Sequence, residues 1–172
     1  MNHADLVALL EPGVHEKGGR WADLGAGEGA FTLALAELLG PTAHIIAVDK
    51  DARALRAIGH GIETRVADFT RPLELRDLDG IVMANSLHFV RDKAPLLKSL
   101  SAMLRPGGAL IVVEYSGDRG NPWVPYPFTY TTWVRLAEAA GLQGTELLHS
   151  VPSRYFGSMY SALSRVSLSP AG

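Results

Sequence analysis

The fold is decided by the stretch Trp21-Ala-Asp-Leu-Gly-Ala-Gly-Glu-Gly-Ala30, in which Gly25, Gly27 and Gly29 occupy alternate positions. An apolar segment enters this stretch, and the helix-like run Phe31-Thr-Leu-Ala-Leu-Ala-Glu-Leu-Leu39 leaves it. Glycines in a strand-to-helix turn remove the side chains there, so a ligand can lie directly against the backbone. The stretch therefore predicts an α/β fold whose first turn holds a ligand.

A carboxylate follows twenty residues after Gly29, at the end of the apolar run Ile45-Ile-Ala-Val-Asp49. In this position Asp49 can accept hydrogen bonds from both hydroxyl groups of a nucleotide ribose. The glycine turn and this carboxylate together predict a site for a small molecule that contains adenosine.

Strand-like and helix-like segments alternate along the rest of the chain, which predicts a parallel sheet covered by helices on both faces. The predicted strands lie near residues 20–24, 44–48, 63–67, 80–84, 109–113, 144–148 and 156–163. The predicted helices lie near residues 4–10, 30–39, 51–60, 93–104 and 130–140. Arg105-Pro-Gly-Gly108 is expected to end the fourth helix before the fifth strand, and residues 116–128 form a loop rich in Pro and Gly.

The length of 172 residues is typical of one domain, and 47% hydrophobic residues are enough to form a core. We expect a short N-terminal helical segment over residues 1–19, the main domain over residues 20–166 and a tail over residues 167–172. No apolar run approaches the roughly 18 residues that a membrane span requires, and no secretory leader is evident, so a cytoplasmic protein is expected.

The charge balance and the missing cysteines exclude several functions. With 16 basic and 18 acidic residues, the net charge of −2 gives no footprint for nucleic acid or for an anionic membrane. The absence of cysteine excludes disulfides, thiolate metal sites and a cysteine nucleophile. The six histidines show no paired ligand spacing, so no metal site is expected.

The glycine pattern leaves the ligand open, because Gly25-x-Gly27-x-x-Ala30 also satisfies the looser dinucleotide fingerprint of nicotinamide-dependent oxidoreductases. Three features favour another ligand. A carboxylate at Asp23 would repel a pyrophosphate but suits an ammonium group. The pair Asp68-Phe69 can hold an adenine, and Asn85-Ser-Leu-His88 follows the fourth strand, where the crevice of an open α/β sheet lies.

At these residues the sequence resembles the class I, Rossmann-like family of S-adenosylmethionine-dependent methyltransferases. The resemblance is carried by Asp23-x-Gly25-x-Gly27-x-Gly29, Val48-Asp49, Ala67-Asp68, Asp79-Gly-Ile-Val-Met-Ala-Asn85 and Leu104-Arg-Pro-Gly-Gly108. It implies a single-domain, mostly parallel sheet of seven strands in the order 3-2-1-4-5-7-6, with the seventh strand antiparallel. It also makes residues 20–166 a methyltransferase domain.

The resemblance implies S-adenosylmethionine as cofactor and S-adenosylhomocysteine as product. Asp23 and the turn backbone would hold the methionine part, Asp49 the ribose, and Asp68 with Phe69 the adenine. Residues 85–87 would border the sulfonium, chiefly through backbone carbonyls. The full set of cofactor residues implied is Asp23, Gly25, Ala26, Gly27, Gly29, Asp49, Lys50, Asp68, Phe69, Asn85, Ser86 and Leu87.

Methyl transfer is an in-line displacement in which positioning supplies much of the acceleration. A general base is needed only where the acceptor carries a proton at neutral pH, and His88 and Glu114 are the candidates. Aromatic residues concentrated near the loop are expected to form one wall of an acceptor pocket, or else to pack the loop onto the following helix. These residues are Tyr115, Trp123, Tyr126 and Phe128.

The acceptor is expected to be a small molecule. Asn85-Ser-Leu-His88 lacks the Pro-Pro pair that follows this position in the family members that methylate adenine or glutamine amides, and the charge disfavours RNA. Two alternatives stay open, a nicotinamide-dependent oxidoreductase and a non-catalytic cofactor-binding partner subunit. The short N-terminal segment is also compatible with closure of the site by another subunit, including a second copy of the chain.

Overall fold

The computed structural model describes residues 1–169, which form one seven-stranded sheet flanked by helices. The strands are β1 (Arg20–Leu24), β2 (His44–Asp49), β3 (Glu63–Val66), β4 (Leu78–Ala84), β5 (Leu104–Tyr115), β6 (Gln143–Ser153) and β7 (Gly157–Arg165). The helices are α1 (His3–Leu10), α2 (Ala30–Leu39), α3 (Ala52–Leu55), α4 (Ala94–Met103) and α5 (Tyr130–Ala139).

The strand order is β3-β2-β1-β4-β5-β7-β6, which confirms the predicted order. The first five strands are parallel, and β7 runs antiparallel to both β5 and β6. The carboxyl ends of β1, β2, β4 and β5 therefore meet at one edge of the sheet. The amino end of β7 reaches the same edge, because its Met159 pairs with Tyr115 at the end of β5.

Helices cover both faces of the sheet, and the alternation of side chains along each strand assigns residues to one face or the other. In β1, Ala22 and Leu24 join the core cluster beneath α4 and α5. Trp21 joins the cluster beneath α1 and α2 on the opposite face. Asp23 follows Trp21 by two residues, so its side chain lies on the face that α2 covers.

Several predicted boundaries differ from the structure, among them the end of β6, which runs to Ser153, and two that have a clear physical reason. The helix expected over residues 51–60 is the single turn α3 followed by a 3₁₀ turn, Arg56–Ile58, after which Gly59 and Gly61 adopt left-handed backbone. The run 105–108 does not precede β5 but lies inside it, because Leu104 already pairs with Leu78. The register shifts between Leu78 and Gly80, and a proline in such an irregular stretch costs the sheet little.

The predicted N-terminal segment packs into the same core as the rest of the chain. Leu6, Leu9 and Leu10 of α1 are buried in the cluster that also holds residues of α2 and β5. The domain boundaries at residues 19 and 166 stay predictions. Of the expected tail, residues 170–172 lie outside the described part of the chain.

Gly80 in β4 provides a test of this packing, because it pairs with Trp21 of β1 and a Cβ there would collide with the Trp21 ring. We expect Gly80→Ala to lower the free energy of unfolding by about 1–3 kcal/mol, as overpacking of a core does. Urea denaturation followed by circular dichroism measures the change. The loss should shrink in a Trp21→Leu background, and an equal loss in both backgrounds would contradict the collision.

Candidate functional site

The glycine turn between β1 and α2 depends on left-handed backbone. Gly25, Gly27 and Gly29 have φ values of 82°, 55° and 87°, which residues with a Cβ rarely adopt. The amides of Gly25 and Ala26 both donate to the carbonyl of Val48, at 2.8 and 3.0 Å. The turn is therefore fixed to the end of β2.

Asp49, the last residue of β2, also binds the glycine turn. Its Oδ2 accepts a hydrogen bond from the amide of Gly27 at 2.8 Å, and its Oδ1 accepts from the amide of Asp51 at 2.9 Å. A Cβ built on Gly27 would have no atom within 4 Å, so the space over the turn is open. The Asp49 carboxylate is therefore held next to an open glycine surface. A ligand can contact this surface and the carboxylate at the same time.

A first cavity of about 490 Å³ lies beside this turn at the carboxyl ends of β1, β2 and β4. Its lining residues are Gly25, Asp49, Lys50, Ala67, Asp68, Phe69, Thr70, Asn85, Ser86, Phe89 and Val90. Hydrogen bonds that Thr70 donates from its hydroxyl and its amide to Oδ1 hold the pKa of Asp68 below its usual value. Asp68 is therefore an ionised acceptor at neutral pH.

The wall of this cavity next to β4 is formed by Ser86. Its hydroxyl donates to the carbonyl of Leu24 at 2.8 Å, which ties the segment after β4 to the end of β1. A Cβ on Gly25 would lie 2.5 Å from the Ser86 Cβ and 3.2 Å from the ring of Phe69. Glycine at position 25 thus lets the two walls of the cavity approach each other.

Asn85 lies between this first cavity and a second one. It has a left-handed backbone with φ 52°, and its amide donates to the carbonyl of Val113 at 2.8 Å. Its Oδ1 is buried and has no hydrogen-bond partner among residues 1–169. Because a buried polar atom without a partner is unfavourable, this oxygen marks a place where a ligand group fits.

The second cavity has a volume of about 580 Å³. It is lined by Asn85, His88, Tyr115, Asn121, Trp123, Val124, Tyr155 and Phe156. These residues come from the segment after β4, the end of β5, the loop 116–128 and the turn before β7. Asn85 is common to both cavities, so a group at its side chain is in reach of each.

The two candidate bases, His88 and Glu114, form a buried pair at the wall of the second cavity. Oε1 of Glu114 accepts from the amides of Leu87 and His88, at 2.9 and 3.2 Å, and Oε2 lies 2.6 Å from His88 Nδ1. A carboxylate only accepts, so Nδ1 carries the proton. In the neutral ring Nε2 then holds the free lone pair, and no group in residues 1–169 hydrogen-bonds to it.

The loop 116–128 is held by specific hydrogen bonds. Asn121 Oδ1 accepts from the amides of Trp123 and Val124 at 2.9 and 2.8 Å. The amide of Tyr126 donates to the carbonyl of His88, and the buried ammonium of Lys93 donates to the carbonyl of Tyr126 at 3.1 Å. The loop is therefore anchored to the same segment that carries His88.

The structure corrects two of the expected pocket residues. Phe128 is buried in the core against Trp133 of α5, and its carbonyl accepts from the hydroxyl of Tyr160. Tyr126 contributes backbone hydrogen bonds and does not line the second cavity. Phe128 therefore packs the loop onto the following helix, which is the alternative expectation. Tyr115 and Trp123 line the cavity.

Asp23 does not reach either cavity. Its carboxylate is buried on the α2 face, where Oδ2 accepts from the hydroxyl of Thr32 at 2.6 Å. Burial raises the pKa of Asp23 to about 6, with Asp49 adding a smaller repulsion. Strand alternation turns it toward α2, so it lines neither cavity, and its contact with a ligand stays a prediction.

The other residues predicted to bind the cofactor form two groups, those that line the first cavity and those that do not. Gly25, Asp49, Lys50, Asp68, Phe69, Asn85 and Ser86 line the first cavity. Ala26, Gly27, Gly29 and Leu87 do not. Gly29 is needed for packing, since a Cβ there would lie 2.5 Å from the side chain of Ile58. Leu87 is buried in the core and meets Glu114 through its amide.

Several residues that line the two cavities were not predicted from the sequence. Thr70 had a local signal, because Asp-x-Thr predicts a side-chain turn of the kind observed. Tyr155 and Phe156 had none, since only the antiparallel pairing of β7 brings them to the cavity.

No helix within residues 1–169 is both long and apolar enough to cross a membrane. In the same residues, no three His, Asp or Glu side chains are grouped so that they could hold a metal ion.

Comparisons with known proteins agree with this geometry. The model of a family described as methyltransferase domain matches residues 22–112, more than half of the chain. Curated relatives are named ubiquinone/menaquinone biosynthesis C-methyltransferase UbiE. The protein from Pasteurella multocida is 29% identical over 110 residues, which are 58% of this chain and 41% of that protein. The protein from Ectopseudomonas mendocina is 31% identical over 61% of this chain and 44% of its own.

The chain thus matches less than half the length of these curated relatives. Solved structures share the fold at lower identity. The YcgJ protein from Bacillus subtilis has a TM-score of 0.76 at 11% identity, with 96% of this chain and 99% of that chain covered. A SAM-dependent methyltransferase from Thermotoga maritima has a TM-score of 0.73 at 19% identity, over 95% and 89% of the two chains.

The match of the family model and the order of the strands agree with the resemblance carried by the glycine turn and the strand-end motifs. The chain therefore belongs to the methyltransferase-domain family of class I S-adenosylmethionine-dependent methyltransferases, and S-adenosylmethionine is its cofactor.

Proposed function

We propose that the protein transfers the methyl group of S-adenosylmethionine to a small molecule held in the second cavity. The observation that supports this most directly is Asn85, which lines both cavities and has a buried Oδ1 without a partner in the described part of the chain. A cofactor in the first cavity and an acceptor in the second would meet at this residue.

The residues of the first cavity fit the cofactor. The open space over Gly27 admits a ligand against the backbone, and Asp49 stands beside it as an acceptor for ribose hydroxyls. Asp68 and Phe69 offer a carboxylate and a ring to the adenine. When bound, S-adenosylmethionine supplies a methyl group activated by its positive sulfur.

His88 is the base of this proposal. Its Nε2 takes the proton of an acceptor in the second cavity, while Glu114 holds the ring in the required tautomer and stabilises the positive charge that forms. The free Nε2 of His88 in the wall of the second cavity favours catalysis over a non-catalytic partner subunit. The alternative of a nicotinamide-dependent oxidoreductase is not favoured, since the family uses S-adenosylmethionine.

The names of the curated relatives refer to methylation of carbon. For this chain we propose an acceptor whose carbon or oxygen loses a proton to His88 during transfer. A cytoplasmic location and a homo-oligomer stay predictions.

The ribose role of Asp49 is tested by Asp49→Asn. Hydrogen bonds to a charged group contribute about 1.5–3 kcal/mol each, so the affinity for S-adenosylhomocysteine should fall at least about tenfold. Isothermal calorimetry measures it, and thermal melting verifies folding. The matched control is Asp51→Asn, which removes a nearby charge that caps α3 and should change affinity less than about threefold. Equal affinities for the two variants would contradict the assignment.

Asp23 should make the cofactor-free protein less stable at neutral pH. A pKa raised from 3.8 to about 6 corresponds to about 3 kcal/mol, so Asp23→Asn should stabilise by up to that amount at pH 7.5. As the pH falls through 6, the folded wild type gains the proton first, and its stability rises relative to the variant until about pH 4. Urea denaturation at both pH values checks this.

The same substitution should weaken S-adenosylmethionine binding roughly threefold to tenfold, because a negative charge behind the turn is lost. A variant that is no more stable at pH 7.5 than the wild type would refute the burial argument, whatever its affinity.

The His88–Glu114 pair is tested by Glu114→Gln. The two backbone amides keep the glutamine oxygen at the Oε1 position, so its NH₂ group faces Nδ1 and donates to it. The proton then moves to Nε2, which can no longer accept one. We expect ¹⁵N NMR of His88, assigned with His88→Gln, to show the opposite tautomer from the wild type.

Methyl transfer to an acceptor found by screening should fall about 10²- to 10⁴-fold in Glu114→Gln, the usual contribution of a general base. Binding of S-adenosylhomocysteine should not change. Glu146→Gln, an exposed change on β6, is the control and should retain full activity. An unchanged tautomer together with unchanged turnover would exclude the pair from catalysis.

A further inference from the structure

The second cavity differs from the first in charge. Within residues 1–169, no lysine, arginine, aspartate or glutamate lines the second cavity, whereas Asp49, Lys50 and Asp68 line the first. A carboxylate, phosphate or ammonium group placed in the second cavity would lose water without gaining an opposite charge. The lining therefore favours an uncharged acceptor.

Aromatic rings run continuously along this side of the site. The ring of His88 lies 4.3 Å from that of Phe89 and 6.1 Å from that of Tyr115, measured between centroids. Tyr115 in turn lies 5.9 Å from Phe156. We call Phe89, His88, Tyr115 and Phe156 the aromatic strip. Its rings are tilted to one another by 44–49°, a geometry that accepts a further flat ring on its faces or edges.

The outer end of the second cavity carries two large rings that are mostly in water. Trp123 is 78% exposed and Tyr155 is 84% exposed, although both line the cavity. Trp123 is also fixed by the hydrogen bond from its amide to Asn121 Oδ1. Exposed apolar rings at a cavity mouth are typical of ligand contact, so the acceptor extends from His88 out to this rim.

The polar groups of the cavity suit one hydroxyl group. His88 Nε2 can accept its proton. Burial, and secondarily the charge of Glu114, raise the pKa of Tyr115, so its phenol stays protonated and can donate to the hydroxyl oxygen. A hydroxyl placed between these two residues would satisfy both.

We propose that the acceptor is an uncharged aromatic compound that lies along the aromatic strip with one phenolic or enolic hydroxyl against His88 Nε2. This inference rests on the proposed function. In the transfer step the O–H bond breaks and its proton goes to Nε2. The oxygen, or a ring carbon conjugated to it, forms the new bond to the methyl carbon, and the pair of the broken carbon–sulfur bond stays on sulfur.

The test uses the full chain saturated with S-adenosylhomocysteine and four probes of similar size. These are 4-phenylphenol, biphenyl-4-carboxylate, 4-phenylbenzylamine and 4-cyclohexylcyclohexanol. We expect 4-phenylphenol to bind at least tenfold more tightly than the carboxylate, the amine or the non-aromatic alcohol, as measured by calorimetry. Its binding should also shift the ¹⁵N signal of His88 Nε2.

Trp123→Ala should weaken 4-phenylphenol binding about fivefold and leave S-adenosylhomocysteine binding unchanged. Leu147→Ala, which removes an exposed apolar side chain outside both cavities, is the matched control and should change neither. If S-adenosylhomocysteine binds but the charged or non-aromatic probes bind as tightly as 4-phenylphenol, or no probe binds, the inference is overturned and the proposed function stands. If S-adenosylhomocysteine does not bind, the proposed function itself fails.

Discussion

The carboxylate of Glu114 organises the segment on which both cavities depend. It stands near the end of β5 and binds the amides of Leu87 and His88 as well as the imidazole of His88. These three hydrogen bonds fix the chain directly after Asn85 and Ser86, the residues that face the first cavity. Together with the hydrogen bonds from Asn85 to Val113 and from Ser86 to Leu24, they hold the boundary between the two cavities in place.

Two buried carboxylates lie on opposite faces of the sheet, and each is stabilised differently. Glu114 receives three donors, whereas Thr32 is the only side-chain donor to Asp23 within residues 1–169. The raised pKa of Asp23 shows that burial is not fully compensated in the protein alone. Such a group lowers stability, and a trade between stability and function of this kind is common at binding sites.

The strand order and the glycine turn could be predicted, because the sequence patterns that indicate them are local and the topology of the sheet follows from those patterns. Asp49 and Asp68 stand at strand ends, and parallel strands bring such ends together. Asp23 was predicted to face the ligand, yet it shares its strand face with Trp21 and lies beneath α2. Tyr155 could not be predicted, because its position depends on pairing across β6 and β7. The contact of His88 with Glu114 depends on the register between β4 and β5, which the strand order alone does not give.

The reversed direction of β7 places the turn of the β6–β7 hairpin at the same sheet edge as the glycine turn. The hairpin is held by pairing along most of its length, from Gln143 with Arg165 to Ser153 with Gly157. Hairpin tips tolerate insertions and substitutions while their arms keep register. Residues 154–156 can therefore change in sequence, and with them the rim of the second cavity, while the residues that line the first cavity remain as they are.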